Sequence, residues 1–282
     1  MRVLITGAGG QVGHELVAAF SQDELFAADH ATLDVTDREQ VLAAFAHFQP
    51  HVVIHAAAWT AVDDCETHPD RAYAINWIGT RNVAEAARRV GARMTLFSTD
   101  YVFDGTNPNP YVEFDPPNPQ CIYGRAKYAA ERELAADPNA TIVRISWVCG
   151  LHGNNMVRTI LKLAERHATL RFVDDQRGHP TFAADLAGAV RRLIVDHRTG
   201  IYHVTNQGSV SWFEFARAVL ESAGHDPERV EPITTADLDP PRPARRPANS
   251  VLENAALRLQ GLPLLPHYRE SLDRLVAELR ET

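Results

Sequence analysis

Long apolar stretches are absent from this 282-residue sequence. A membrane-spanning helix needs a run of about 18 or more apolar residues, and no such run occurs. The first apolar run, Val3-Leu4-Ile5, is too short for the hydrophobic region of a secretory signal. The sequence therefore predicts a protein without membrane association, located in the cytoplasm.

Cysteine is scarce, and basic residues are not in excess. Cys65, Cys121 and Cys149 are widely spaced and form no C-x-x-C pair, which excludes a disulfide framework and fits a reducing compartment. The 28 Lys and Arg residues are outnumbered by 36 Asp and Glu residues, which gives a formal net charge of −8. This balance gives no support to nucleic-acid binding, although a local basic pocket for an anionic ligand stays open.

The apolar residues that are present, 45% of the total, suffice for a substantial core. The chain begins with a short apolar segment that reads as a buried strand. The motif G-A-G-G-Q-V-G follows from Gly7 to Gly13, and a helix is expected to begin at His14. In this setting glycines let the backbone approach a pyrophosphate, and the helix N-terminus presents N–H groups to it. A tight turn without a ligand is the alternative, but the flanking elements favour a dinucleotide site.

Two further strands end in residues that suit the same cofactor. The strand at 25–28 ends at Asp29 and His30, where an acidic side chain can accept hydrogen bonds from an adenosine ribose. Asp29 favours NADH, whereas the adjacent His30 leaves NADPH open; a solvated strand end is the alternative for Asp29. The strand that begins at Val52 runs into the small residues at 56–58, which leave room for a ribose or a flat ring.

The intervening helices carry local signals. The letters T-D-R-E at positions 36–39 have the spacing of a capping box, which predicts a helix from there to about Phe48. A helical region is expected at 66–90, with Gly91 as its C-cap. Within that region Asn76 either holds a backbone group near the site or is an exposed polar residue.

The reactive groups are predicted at the fourth strand and on the helix that follows it. The strand at 94–99 places Thr99 at its carboxyl end, where its hydroxyl can donate a hydrogen bond to a developing oxyanion. After a long loop at 106–120, Tyr123 and Lys127 lie one helical turn apart. An ammonium stabilises a phenolate and would bring the tyrosine pKa from about 10 nearer neutrality, which suits proton transfer. An exposed pair on an amphipathic helix is the alternative.

The regular alternation loosens after a fifth strand at 141–145. Helices are expected at 156–167, 182–196, 212–223, 251–260 and 268–279, short strands at 170–173 and 201–204, and a rigid basic segment at 240–247. We predict an α/β protein with a Rossmann-type doubly wound parallel sheet. Residues 1–150 would form the dinucleotide-binding domain with the catalytic residues, and residues 151–282 a smaller substrate-binding lobe interleaved with the main sheet.

Several longer motifs carry a resemblance to a known family. They are S-T-D-Y-V-F-D-G from Ser98, A-A-A-W-T-A-V-D from Ala56 and Y-G-R-A-K from Tyr123, together with the glycine motif, R-I-S-W-V from Arg144 and R-P-A-N-S-V-L from Arg246. On these motifs the sequence resembles the dTDP-4-dehydrorhamnose reductase family of the extended short-chain dehydrogenase/reductase superfamily. The resemblance covers essentially the whole chain.

The resemblance implies an oxidoreductase that reduces the C4 keto group of dTDP-4-dehydro-L-rhamnose to dTDP-L-rhamnose with NADPH or NADH. This is the last step of dTDP-rhamnose biosynthesis, which supplies bacterial surface polysaccharide. By similarity, Tyr123 protonates the C4 oxygen, Lys127 holds the cofactor ribose, and Thr99 hydrogen-bonds the same oxygen. The residues implied to bind the cofactor are Gly7, Gly10, Gln11, Val12, Asp29, His30, Asp34, Val35, Ala57, Ala58, Trp59, Thr60, Tyr123 and Lys127. The residues implied to bind the nucleotide-sugar substrate are Thr99, Asp100, Tyr101, Trp147 and Arg246.

For two of the substrate residues the sequence leaves alternatives. Trp147 could stack on a ring of the substrate or be a core aromatic. Arg246 could face the diphosphate or belong to a solvated basic loop. Some family members form a magnesium-linked dimer through glutamates; Glu15 matches one such position, but the segment at 180–185 has no Glu. A homodimer is therefore left open, and no metal site is predicted.

Three other functions are alternatives to the reductase. A nucleotide-sugar dehydratase of the same superfamily needs an acid and a base beside the threonine, and Tyr101 stands where its glutamate would be. An epimerase is disfavoured in the same way. The third is a non-catalytic, NADP-binding regulatory subunit resembling that of methionine adenosyltransferase, because a fold can retain a site without using it.

Overall fold

A computed structural model describes residues 1–281 of the chain. Its strands are β1 (Arg2–Thr6), β2 (Glu24–Ala28), β3 (Val52–His55), β4 (Arg93–Thr99), β5 (Ala140–Ile145), β6 (Val148–Cys149), β7 (Leu170–Val173), β8 (Arg177–Gly178), β9 (Thr181–Phe182), β10 (Gly200–His203), β11 (Val210–Ser211) and β12 (Val230–Ile233). Its α-helices are α1 (Gln11–Ala19), α2 (Arg38–Phe48), α3 (Val62–Thr67), α4 (Pro69–Tyr73), α5 (Gly79–Val90), α6 (Ile122–Leu134), α7 (Met156–Arg166), α8 (Ala183–Val195), α9 (Trp212–Ser222), α10 (Ala255–Leu259) and α11 (Tyr268–Glu281). A π-helical turn (Ala74–Ile78) joins α4 to α5, and 3₁₀ turns occupy Asp100–Val102, Pro227–Arg229 and Thr235–Asp237.

The central sheet has six strands in the order β10-β5-β4-β3-β1-β2, and each neighbouring pair runs parallel. A parallel sheet is covered on both faces, so its strands are continuous apolar runs; β3, V-V-I-H, is buried along its whole length. The strand order reverses between β1 and β3, and ligands of doubly wound sheets bind in the crevice at such a point. The predicted Rossmann-type fold is confirmed.

Helices cover both faces of this sheet because successive side chains of each strand point to opposite sides. Val3 and Ile5 of β1 pack with Leu16 of α1 and with α8 in one core. Leu4, between them, belongs to a second core that contains Phe45 of α2 and residues of α5 and α6. One short strand thus anchors two layers.

The C-terminal half contributes to both parts of the molecule. Strand β10 completes the edge of the central sheet, and α8 packs against α1. A third core, formed largely by α7, α9 and α11 with β7 and β12, lies outside that sheet. The division of the chain at residue 150 and the interleaved substrate-binding lobe both stay predictions. Among residues 1–281, no helix has the length and apolar character needed to cross a membrane.

The predicted elements differ from the observed ones in detail. Helix α2 is capped by Asp37, whose side chain accepts a hydrogen bond from the Gln40 amide, and not by Thr36, which bonds to Asp34 instead. The helix predicted at 251–260 is only five residues long, because 251–253 is extended and pairs with the backbone of Tyr111. The expected C-cap is confirmed, since Gly91 has a left-handed φ of +70°. The strands β6, β8, β9 and β11 were missed, because two residues carry no periodicity. Strand β12 was missed as well; it contains a proline, which argues against a strand.

The approach of α1 to β1 gives a test of the fold. A Cβ at Gly13 would clash with the carbonyl oxygen of Gly7, whereas a Cβ at Gly188, in α8, would meet open space. We expect Gly13→Ala to lower the free energy of unfolding by about 1–3 kcal/mol, the usual cost of overpacking. Gly188→Ala, the matched control, should raise it by about 0.5–1 kcal/mol through helix propensity. Urea titration measures both, and equal shifts of the same sign would contradict the packing argument.

Candidate active site

A cleft with two arms opens at the point where the strand order reverses. The first, the tyrosine arm, is a cavity of about 390 Å³ that contains Thr99, Tyr123 and Lys127 in its wall. The second, the aspartate arm, is a cavity of about 800 Å³ bordered by Asp29 and Asp34. The arms share the residues that follow β1 and β3, among them Gly7, Gly10, Ala56 and Ala58.

The structure brings nearly all of the predicted site residues to this cleft. Those at the tyrosine arm are Gly7, Gly10, Gln11, Val12, Ala58, Thr60, Thr99, Asp100, Tyr101, Tyr123, Lys127 and Trp147. Those at the aspartate arm alone are Asp29, His30, Asp34, Val35, Ala57 and Trp59. Arg246 is the exception: it is not in either wall, and its guanidinium instead forms a two-pronged ion pair with Asp63, at 2.7 and 2.8 Å.

The glycine turn fits a dinucleotide pyrophosphate. Gly7 has a φ of +70°, and a Cβ on it would lie 2.6 Å from the backbone nitrogen of Ala57, so only glycine is accommodated. Helix α1 begins at Gln11 with no side-chain cap from the described residues, which leaves its first N–H groups and its positive dipole end for an anion. The buried Oε1 of Gln11 also has no hydrogen-bond partner within residues 1–281. The cradle and the unpaired polar atom together suit a bound cofactor.

Asp29 presents a charged carboxylate to the aspartate arm. Its Oδ1 accepts hydrogen bonds from the hydroxyl and the amide of Thr32, at 2.6 and 2.9 Å, and these hold the pKa of Asp29 below its usual value. A fixed carboxylate there suits the ribose hydroxyls of adenosine. Arg71, which the sequence reading missed, supplies a cation in the same wall and stacks over Trp59, 4.6 Å from the ring centre.

Asn76 fixes the loop between the two arms. Its side chain accepts a hydrogen bond from the Trp59 amide at 2.8 Å and donates one to the Trp59 carbonyl at 3.0 Å. Asn76 is fully buried and lies on the π-helical turn, a feature that is frequent at functional sites. Of the two sequence interpretations, the structure supports the one in which Asn76 holds a backbone group near the site.

The start of α6 is held tightly against the end of β4. Glu66 accepts the Ile122 amide at 2.6 Å, and the Cys121 sulfur accepts the Gly124 amide at 3.4 Å. A Cβ at Gly124 would clash with the carbonyl oxygen of Tyr101. Because of this close packing, Tyr123 reaches the cavity beside Thr99 and its ring meets that of Tyr101 edge-on, with centroids 5.8 Å apart.

Burial decides the protonation of the tyrosine and lysine. It raises the pKa of Tyr123 above the ordinary value, and the nearby Thr99 hydroxyl only partly opposes this. The expectation of a tyrosine pKa near neutrality is therefore wrong: loss of hydration is the dominant effect. Burial also lowers the pKa of Lys127 to about 8, opposed by the negative charge of Glu131.

Thr99 is hydrogen-bonded to the carboxyl group of its neighbour Asp100. It caps the 3₁₀ turn by accepting the Tyr101 amide at 3.2 Å, and its hydroxyl donates to Asp100 Oδ1 at 3.0 Å. Burial raises the pKa of Asp100 to about 6, opposed by hydrogen bonds from Ser250 and Thr99. Around neutral pH the tyrosine arm therefore contains a protonated phenol, an ammonium and a carboxylate.

Two stacked tryptophans form the far wall of the tyrosine arm. The rings of Trp147 and Trp212 are nearly parallel, 3.6 Å apart between centroids. Trp147 has a left-handed φ of +45°, and a Cβ at Gly178 would lie 2.7 Å from its ring; such strain in a non-glycine residue is typical of functional sites. Trp212 was missed, although the capping box from Ser211 to Glu214 marks a helix start at which Trp212 is the first residue.

The cofactor preference can be tested at Asp29. Asp29→Asn keeps an oxygen that can accept the hydrogen bonds from Thr32 but removes the negative charge. That charge repels a 2′-phosphate. We expect the ratio of the NADPH to the NADH dissociation constant to fall about tenfold, equivalent to ~1.4 kcal/mol. Fluorescence titration of the reduced cofactors measures this, with Asp196→Asn, an exposed carboxylate after α8, as control. An unchanged ratio would remove Asp29 from cofactor selection.

Comparison with known proteins agrees with this site. The family model described as RmlD substrate binding domain matches residues 1–281. The chain is 41% identical to a dTDP-4-dehydrorhamnose reductase of Mycobacterium tuberculosis, over 98% of this chain and 92% of that protein. It is also 41% identical to a probable dTDP-4,6-dihydroxy-2-methyloxan-3-one 4-ketoreductase of Streptomyces antibioticus, over 96% and 93%.

A solved structure shares the fold over nearly its full length. The crystal structure of dTDP-4-dehydrorhamnose reductase from Bacillus anthracis in complex with NADP has a TM-score of 0.94 and 41% identity, covering 98% of this chain and 99% of that one. The resemblance read from the sequence motifs is confirmed. The chain belongs to the dTDP-4-dehydrorhamnose reductase family.

Proposed function

We propose that this protein reduces the C4 keto group of dTDP-4-dehydro-L-rhamnose with NADPH or NADH and so makes dTDP-L-rhamnose. The observation that carries the proposal is the meeting of Thr99, Tyr123 and Lys127 in one cavity that starts at the glycine turn. The turn provides for a cofactor, and the three side chains provide for proton delivery to a carbonyl oxygen.

The cleft divides the binding of the cofactor between its arms. The N-terminus of α1 would hold the pyrophosphate, Asp29 the adenosine ribose, and Lys127 the other ribose. When bound, the nicotinamide ring supplies the hydride that adds to C4. The loop fixed by Asn76 would form the floor between the two riboses.

Proton transfer falls to Tyr123. Its raised pKa keeps the phenol protonated at neutral pH, and a developing alkoxide at C4 is a stronger base than a phenolate, so the proton moves to the substrate. Thr99 would turn its hydroxyl from Asp100 to the same oxygen and stabilise its charge. Asp100, a carboxylate above about pH 6, would accept a hydrogen bond from a sugar hydroxyl.

The remaining substrate contacts come from the aromatic wall and the basic segment. Trp147, supported by Trp212, would pack on the apolar face of the deoxysugar, with Tyr101 opposite. Arg246 has five N–H donors; within residues 1–281 its hydrogen bonds to Asp63 and Ala244 use three of them. The other two suit a diphosphate oxygen, so Arg246 stays a proposed substrate ligand.

The proposal also covers the identity of the sugar and the oligomeric state of the protein. The Streptomyces antibioticus relative is named for a different keto sugar at the same 41% identity, so the C4 carbonyl is better supported than the rest of the sugar.

A homodimer and a cytoplasmic location are also part of the proposal. Analytical ultracentrifugation at assay concentration tests the dimer.

One assay tests the function directly. Purified protein is mixed with the dTDP-keto sugar made in situ, and the loss of reduced-nicotinamide absorbance is followed with NADH and with NADPH. Steady oxidation that depends on the keto sugar supports the proposal. No oxidation with either cofactor, combined with binding to a synthetase partner, would overturn it in favour of a regulatory subunit.

Tyr123→Phe tests the proton donor. Removal of the hydroxyl should lower turnover by about 10²- to 10⁴-fold, the usual contribution of a positioned acid, while the dissociation constant of the reduced cofactor stays nearly unchanged. Tyr128→Phe, on the same helix but packed against the core around Phe103, is the control and should keep wild-type turnover. Wild-type turnover in Tyr123→Phe would defeat the assignment.

Trp212→Ala tests the aromatic wall. Loss of the stack beneath Trp147 should raise KM for the keto sugar about tenfold, with a smaller change in kcat because the proton donor is untouched. Trp212→Phe retains a ring and should keep KM close to that of the wild type. If KM does not change in Trp212→Ala, the stacked pair has no part in sugar binding.

A further inference from the structure

A buried ion pair lies directly behind the catalytic residues. Glu131 follows Lys127 by one turn of α6, and each is 3% exposed. The Glu131 carboxylate accepts hydrogen bonds from Arg144 Nε and Nη2, at 2.9 and 2.7 Å, and from Ser98 Oγ at 2.5 Å. Arg144, on β5, is 1% exposed. Ser98 precedes Thr99 on β4, so the pair ties together the strand and the helix that carry the reactive groups.

Stability alone does not account for this pair. Removing two charges from water costs several kcal/mol for each ion, and a buried ion pair can often be replaced by apolar residues without loss of stability. The neighbouring positions of α6, Ala130 and Leu134, are apolar and belong to the core against β4 and β5. An apolar residue at 131 would continue that core, so the carboxylate calls for another explanation.

The surroundings of Lys127 provide an explanation for the carboxylate at position 131. From β3, His55 faces it, but burial and then the lysine charge lower the pKa of His55 to about 3, so His55 is neutral. Its ring nitrogens are paired with Thr6 and Thr80. The hydroxyl of Thr99 comes from the end of β4 and the carboxyl of Asp100 from the 3₁₀ turn that follows, and α6 itself contributes Tyr123 and Glu131.

Among these groups, Glu131 is the one whose charge opposes the loss of hydration at Lys127. A buried ammonium without such a partner releases its proton readily. The hydrogen bonds from Arg144 and Ser98 hold the Glu131 carboxylate in place one turn of α6 away from the lysine.

We propose that Glu131, clamped by Arg144 and Ser98, is a positioning residue that keeps the Lys127 ammonium charged in the tyrosine arm. This rests on the proposed function, in which Lys127 holds the cofactor ribose. Glu131 is not in the wall of the tyrosine arm, so it would act only through the lysine.

The test is a pH profile of cofactor binding and of turnover. In the wild type, both should weaken as pH rises through about 8, where Lys127 loses its proton; the Asp100 pKa, at about 6, belongs to the acidic side of the profile. The fall on the alkaline side of the profile is its basic limb. In Glu131→Gln, which keeps an oxygen for Ser98 and Arg144, the midpoint of this basic limb should move down by about one pH unit. Near pH 6 the cofactor dissociation constant should stay within about twofold of wild type, because Lys127 is then charged in both proteins.

Two variants separate charge from structure. Ser98→Ala removes a hydrogen bond but leaves the carboxylate charge, so its basic limb should coincide with that of the wild type. Glu131→Gln leaves Arg144 buried without a counter-charge, which can cost stability. Glu131→Gln combined with Arg144→Met removes both charges and should fold while showing the same lowered limb.

The outcomes distinguish this inference from the proposed function. An unmoved basic limb in the folded Glu131 variants would overturn the inference, and so would failure of both to fold, which would assign Glu131 to folding alone. Cofactor binding can be titrated even if the wild type does not turn over the keto sugar. In that case the proposed substrate fails, while the pH dependence of NADPH binding still decides the role of Glu131.

Discussion

The close approach of Gly13 to the Gly7 carbonyl sets the position of α1 on β1, and the site is built outward from that contact. It places the N-terminus of α1 over the crevice between β1 and β3. Helix α8 then packs on α1, and the chain leaving α8 enters the central sheet as β10. A side chain at Gly13 would clash with the Gly7 carbonyl oxygen, and one at Gly7 would clash with the backbone of Ala56 and Ala57, so either would disturb this packing.

Loss of hydration is the second constraint, and it acts on the reactive groups in opposite senses. It favours the neutral form of each titratable group, so it raises the pKa values of Tyr123 and Asp100 and lowers that of Lys127. The tyrosine remains an acid as a result. The aspartate is charged above about pH 6 and the lysine below about pH 8, so the two charges are present together only between these values.

The sequence allowed the sheet, the glycine turn and the group of Thr99, Tyr123 and Lys127 to be predicted, because each follows from a local signal. Apolar runs mark the strands, and strand ends of a parallel sheet meet at one edge. Trp212 and Arg71 were not foreseen, since they reach the cleft through packing between distant segments. The protonation of Tyr123 was misjudged for the same reason, because burial depends on the whole fold, and the pairing of Arg246 with Asp63 joins residues far apart in the chain.

The packing of α8 on α1 and the pairing of β10 with β5 also bear on how the chain acquires its structure during synthesis. Residues 1–150 emerge from the ribosome first, but the apolar face that Val3, Ile5 and Leu16 present is covered by α8, and the edge of β5 is paired by β10. Until about residue 203 has emerged, that face and that edge are open to chaperones or to other nascent chains. In the folded protein, the layers around the glycine turn are therefore completed by a segment from the second half.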